Sequence, residues 1–136
     1  MIDERLFGPN RIVIQGDLLT LSEQSAWTDE EIGQLLSALS EVLEKQGRLF
    51  VISVAAGSVQ VSPAGRRMIA NWFTGHKVAA AAVVAHSAVG RALISLVVSA
   101  INIVADKHFN VRFLATTELA RTFIADERFR LYGVRD

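Results

Sequence analysis

Two short stretches place a hydroxyl, a helix start and a guanidinium close together, and these are where the chain could carry chemistry. In the first, Ser58 and Ser62 precede Pro63, and Arg66 and Arg67 follow within about a turn. In the second, His86 and Ser87 precede Arg91. A serine at a helix N-terminus stands beside free backbone N–H groups and the positive end of the helix dipole, and an arginine in the first turn adds a full charge. Both stretches therefore suit an anion or an acidic partner. Both also fall where a strand hands over to a helix, the usual binding edge of an open α/β sheet. The plainer alternative is that Ser62 and Ser87 are helix caps and the arginines are solvated or salt-bridged.

Other chemistry is not written in the residue pattern. His76, His86 and His108 lack metal-ligand spacing, so no metal is expected. Neither Gly57-Ser58 nor His86-Ser87 belongs to a G-x-S-x-G nucleophile elbow, and the glycines form neither a dinucleotide fingerprint nor a P-loop. The chain has no cysteine, which removes disulfides and thiolate catalysis. The early carboxylates Asp17, Glu23, Asp29 and Glu31 have structural uses as a turn former and first-turn acids, and a solvated role is expected for each. The expected function is non-enzymatic, with no cofactor.

The elements that must position these residues follow from periodicity. Residues 5 to 7 and 11 to 21 alternate as a strand or hairpin around Gly8-Pro9-Asn10, with a bulge or turn at Gly16-Asp17. Thr28 and Glu31 form a capping box for a helix over about 28 to 45, stopped by Gly47. The apolar run 49 to 55 reads as a central strand. Ser62 and Pro63 start a helix that buries Met68, Ile69, Trp72 and Phe73. A strand over 78 to 85, a helix over 87 to 105, a strand over 110 to 115 and a helix over 117 to 126 complete the order β-β-α-β-α-β-α-β-α. Residues 127–136 are expected to be a loose tail or an arm onto a partner.

The helix over 87 to 105 is the most apolar part of the chain. Ser87, Arg91, Ser95, Ser99 and Asn102 form one narrow polar stripe, and nearly all the rest is aliphatic. A membrane span is not expected: Arg91 would cost about 2.5 to 3.5 kcal/mol if central, and basic or aromatic flanks are missing. The second apolar flank instead predicts a homodimer, with Ile94 and Val98 meeting their equivalents across a two-fold axis. Alternatively, the first helix or Phe129 to Val134 covers that flank within one chain.

At 136 residues, 51% of them hydrophobic, the chain suits a single domain, 1–136. Lys+Arg 14 balances Asp+Glu 14, which gives no chain-wide case for nucleic acid or an anionic membrane; such a partner would need a local patch. The opening residues show no signal-peptide pattern, and a cytoplasmic location in a bacterium-like cell is expected.

The strand 49 to 55, the Ser62-Pro63 helix start, the strand 78 to 85, the apolar helix containing Arg91, and V-R-F-L-A-T-T-E-L-A-R from 111 to 121 together resemble the SpoIIAA-like group of bacterial STAS-type domains. The resemblance covers about residues 10 to 126. It implies a four- or five-stranded, mostly parallel mixed sheet flanked by about four helices. It also implies a regulatory or protein-interaction role, like that of anti-sigma-factor antagonists, with an unknown regulatory protein as partner. A more distant similarity to CRAL-TRIO domains implies the alternative, carriage of an apolar or lipid-like ligand on the helix 87–105. The STAS switch serine lies in an Asp-Ser-Ser-Gly-like turn, whereas residues 56 to 65 read A-G-S-V-Q-V-S-P-A-G without that aspartate. The family role therefore carries over at most to Ser58 or Ser62, where a phosphate would lie near Arg66 and Arg67.

Overall fold

The computed structural model describes residues 2–55, 61–85 and 110–134. Three strands open the chain: β1 (Ile2–Phe7), β2 (Asn10–Gln15) and β3 (Leu18–Glu23). Tight turns at Gly8-Pro9 and Gly16-Asp17 separate them, with Gly8 and Gly16 at φ of 62° and 61°, where a Cβ would be strained. Then follow α1 (Asp29–Gln46), β4 (Phe50–Ala55), α2 (Pro63–Gly75), β5 (Ala80–Ala85), β6 (Val111–Leu114) and α3 (Thr117–Tyr132).

The strands form one mixed sheet of six, in the order β1-β2-β3-β4-β5-β6. The first three are antiparallel neighbours, and β3 to β6 run parallel. Four or five strands were expected. The difference arises because the run 11 to 21 turns fully at Gly16-Asp17, so that what could be one bulged strand is two paired ones. Three helices lie within the described residues, and the fourth expected helix, 87–105, lies outside them.

Local signals account for α1. Thr28 Oγ1 accepts from Glu31 N at 3.1 Å, and Glu31 Oε1 accepts from Thr28 N at 2.9 Å, closing the capping box. Gly47 ends the helix at φ 74°, its N–H bonded to Leu43 O. The parallel connections from β3 to β4 and from β4 to β5 set α1 and α2 on the same face of the sheet, as crossovers of one hand require. There Ile12, Leu19 and Val51 meet Ile32, Leu35 and Leu39, with Met68, Trp72 and Phe73 of α2 packed against them. Trp72 Nε1 donates to Ser40 Oγ at 2.9 Å, which joins the two helices.

The other face carries a second core of Phe50, Ile52, Ala80, Ala82 and Val84 beneath Ala120, Phe123 and Ile124 of α3. Every residue of β5 is buried, and its alanines leave room for close approach from above. The C-terminal helix is longer than the expected 117 to 126. Residues 127 to 132 are its last turns rather than a loose tail, and Gly133 caps it at φ 69°. Arg128 is the reason: its side chain is 8% exposed and reaches Asp17 at the start of β3.

Candidate functional site

Ser62 begins α2 in extended conformation, and its hydroxyl accepts from Gly65 N at 2.9 Å. The same hydroxyl donates to Asp29 Oδ1 at 2.6 Å, tying α2 to the first turn of α1. Ser62 is thus a cap, and a phosphate there would face the Asp29 carboxylate as well as the arginines. Gly65 is required by this closeness, because an added Cβ would lie 2.8 Å from Val61 Cγ1. One turn along, Arg66 is half-buried and Arg67 exposed. Among the described residues neither has an ion-pair partner. Ser58, His86, Ser87, Arg91, Ile94 and Val98 lie outside the described residues, as does the apolar stretch 87–105, expected as a helix, on which ligand carriage and dimerisation would depend.

His76 follows α2, its Nδ1 2.7 Å from Trp72 O and its ring stacked on Trp72 at 4.2 Å. Among the described residues no three His, Asp or Glu side chains are grouped to hold a metal ion.

Two of the early carboxylates, expected to be solvated, are not. Asp17 is 6% exposed. Its backbone oxygen accepts from Phe50 N at 2.8 Å, which fixes the β2–β3 turn at the start of β4. Its side chain takes two arginines at once: Arg48 Nε donates to Oδ2 at 2.7 Å, while Arg128 donates to Oδ1 at 2.7 Å and to Oδ2 at 3.1 Å. Aromatic rings back both cations, with Arg128 5.1 Å from the centre of the Phe50 ring and Arg48 4.9 Å from that of Tyr132.

Glu23 is half-buried at the carboxyl end of β3. Its carboxylate accepts from Ser53 Oγ at 2.8 Å and from Trp27 Nε1 at 3.3 Å. Burial nevertheless outweighs both bonds and pushes its pKa above the ordinary glutamate range.

Asp17 and its arginines close one end of an open groove of about 820 Å³, which sequence reasoning missed. Strand alternation builds the floor: Arg11, Val13 and Gln15 of β2 and Leu18, Thr20 and Ser22 of β3 point away from α1. Thr117, Arg121, Ile124 and Arg128 of α3 form the wall. Among the described residues four arginines and one aspartate line it, the kind of local patch that the balanced overall charge cannot reveal. A hint lay in the seven-residue spacing of Arg121 and Arg128, two turns apart on one helix face.

No family model matches the chain, and no curated protein matches it. Among solved structures it is similar to an uncharacterised protein of the DUF3478 family with a SpoIIAA-like fold from Shewanella loihica PV-4. The identity is 10%, the TM-score 0.53, and the match covers 90% of this chain and 91% of that one. At that identity the likeness establishes the fold, which is SpoIIAA-like, as the pattern from 49 to 121 implied. No helix among the described residues is long and apolar enough to cross a membrane.

Proposed function

We propose that this chain is a non-catalytic regulatory or protein-interaction domain of the STAS type, working in the cytoplasm. On this reading a partner docks on the Ser62 to Arg67 end of α2 and the adjoining residues from Ser58. The observation that carries it is the state of Arg66 and Arg67, which stand beside a fully bonded cap and have no ion-pair partner among the described residues. Cations without an ion-pair task are available to a partner's acids. The SpoIIAA-like fold supports the same reading by analogy. Capture from cell extract by the wild-type protein and by Arg66→Glu/Arg67→Glu tests it. Loss of the captured protein in the variant is expected, and recovery of the same proteins by both would count heavily against this surface.

The homodimer through Ile94 and Val98 belongs to the proposal. Light scattering should give a dimer that Ile94→Glu/Val98→Glu converts to monomer. A wild-type protein that is strictly monomeric at tens of micromolar would end that part of it.

A further inference from the structure

We infer that the groove between α3 and the β2–β3 face takes an extended acidic segment of a partner protein, with two carboxylates about four residues apart and aliphatic side chains between them. This deepens the interaction-domain reading and rests on it, but it uses a different surface.

The charges stand at two ends. Strand register sets Arg11 opposite Ser22 at one end and Gln15 opposite Leu18, beside Asp17, at the other. Four residues of strand separate those ends by about 13 Å. The helix α3 leaves the carboxyl end of β6 and meets Asp17 through Arg128, so it runs back along the groove. Arg121, seven residues before Arg128, therefore lies about 10 Å towards the Arg11 end.

Neither end is neutralised. Arg48 and Arg128 share the single Asp17 carboxylate, both of whose oxygens already accept, which leaves one net positive charge there. At the other end Arg121 is exposed and has no ion-pair partner among the described residues. Arg11 Nη1 is 3.7 Å from Glu4 Oε2, beyond hydrogen-bond length, with both side chains about half exposed. Between the ends, Val13, Leu18 and Val54 supply an apolar floor, and Thr20 and Thr117 add hydroxyls.

A ligand with one anionic group can hold only one end. An extended peptide rises about 3.3 Å per residue, so acids at positions i and i+4 span about 13 Å and reach both. Among the described residues the lining holds no aromatic ring on which bases could stack, and its aliphatic floor suits side chains better than a sugar-phosphate backbone. The volume of about 820 Å³, open along its length, suits a short peptide segment.

The test uses a fluorescein-labelled peptide containing Glu-Val-Thr-Val-Glu, read by fluorescence anisotropy against the full chain. One control replaces both glutamates with glutamine, and a second places them side by side. Saturable, salt-sensitive binding is expected, tighter than either control by about tenfold. Arg11→Glu/Arg121→Glu, at two exposed positions, should weaken it by about tenfold or more, and Arg66→Glu/Arg67→Glu should leave it unchanged. Equal affinity for the three peptides, no saturation in the millimolar range, or full affinity in the groove variant would overturn the inference. So would displacement of the peptide by inorganic phosphate or palmitate at lower concentration than by unlabelled peptide, which would assign the groove to a small anion. Failure here with capture still dependent on Arg66 and Arg67 removes the groove and leaves the interaction-domain reading standing. Capture insensitive to Arg66 and Arg67 alongside saturable peptide binding does the reverse.

Discussion

Arg128 grips both carboxylate oxygens of Asp17 across 111 residues of chain, and both side chains are under one-tenth exposed. The pair joins the β2–β3 turn to the last turns of the C-terminal helix. With Arg48 it leaves no buried side-chain nitrogen or oxygen unpartnered there. A buried cation that loses its only carboxylate is much more costly than an intact pair is favourable. Asp17→Ala should therefore lower unfolding stability by roughly 3 to 5 kcal/mol. Urea denaturation measures this, and a loss below about 1 kcal/mol would mean that water or another acid replaces Asp17.

Removal of residues 127–136 distinguishes a structural helix end from a loose tail. A chain ending at Asp126 loses Arg128 and the Tyr132 ring that meets Phe50 edge-on with centroids 6.1 Å apart. Its midpoint of urea unfolding should fall by an amount comparable to that of Asp17→Ala. Combined with Asp17→Ala, the truncation should add much less than its separate cost, because both remove the same interaction. An unchanged midpoint would restore the loose-tail description.

Glycines at the two ends of α2 should respond oppositely to alanine. At Gly65 the added Cβ would lie 2.8 Å from Val61 Cγ1 and 3.3 Å from Ser62 Oγ, so Gly65→Ala should destabilise by about 1 to 3 kcal/mol. At Gly75 nothing lies within 4 Å, and Gly75→Ala should be neutral or stabilise by about 0.4 to 1 kcal/mol. Thermal unfolding of both variants checks the pair, and a tolerated Gly65→Ala would show that α2 shifts away from Val61.

Glu23 gives a pH signature. Its folded pKa is raised above the ordinary 4.5 by burial, so the folded protein holds this proton more tightly than the unfolded chain. As pH rises from about 4.5 the unfolded chain ionises first, and Glu23's contribution to stability declines until the folded pKa is passed. Glu23→Gln should flatten this part of the stability profile, and its stability relative to wild type should improve from pH ~4.5 towards neutrality. Parallel slopes for the two proteins across that range would show that Glu23 is not the group responsible.

Much of the fold could be read in the chain because its signals are local. The Thr28–Glu31 box, the Ser62-Pro63 start and Gly47 each act within a few residues, and each marks its helix end correctly. The buried strand Ala80–Ala85 has poor strand propensity and was readable only from its length and position. The groove was not readable. Alternation shows that Arg11, Val13 and Gln15 share a face, but not that α3 stops short of covering it. Asp17 is the turn residue its position implied, but its burial was not readable, because its ion partners are 31 and 111 positions away, a separation that leaves no trace in spacing. Four of the seven residues singled out at first for an anion or a partner, Ser58, His86, Ser87 and Arg91, lie outside the described part of the chain.

The strands stand in the sheet in the order in which they occur along the polypeptide, so each new strand adds to an edge that already exists. A chain leaving the ribosome could therefore build this sheet by accretion, the β1–β3 meander first, without waiting for distant sequence. The helix that covers the second core follows all six strands in the chain, and until it arrives Phe50, Ile52 and an Asp17 paired with Arg48 alone remain open to water. Nascent chains halted before Thr117 would present that bare face to chaperones, and release of the sixteen residues of α3 would mark the moment of commitment to this sheet's native packing.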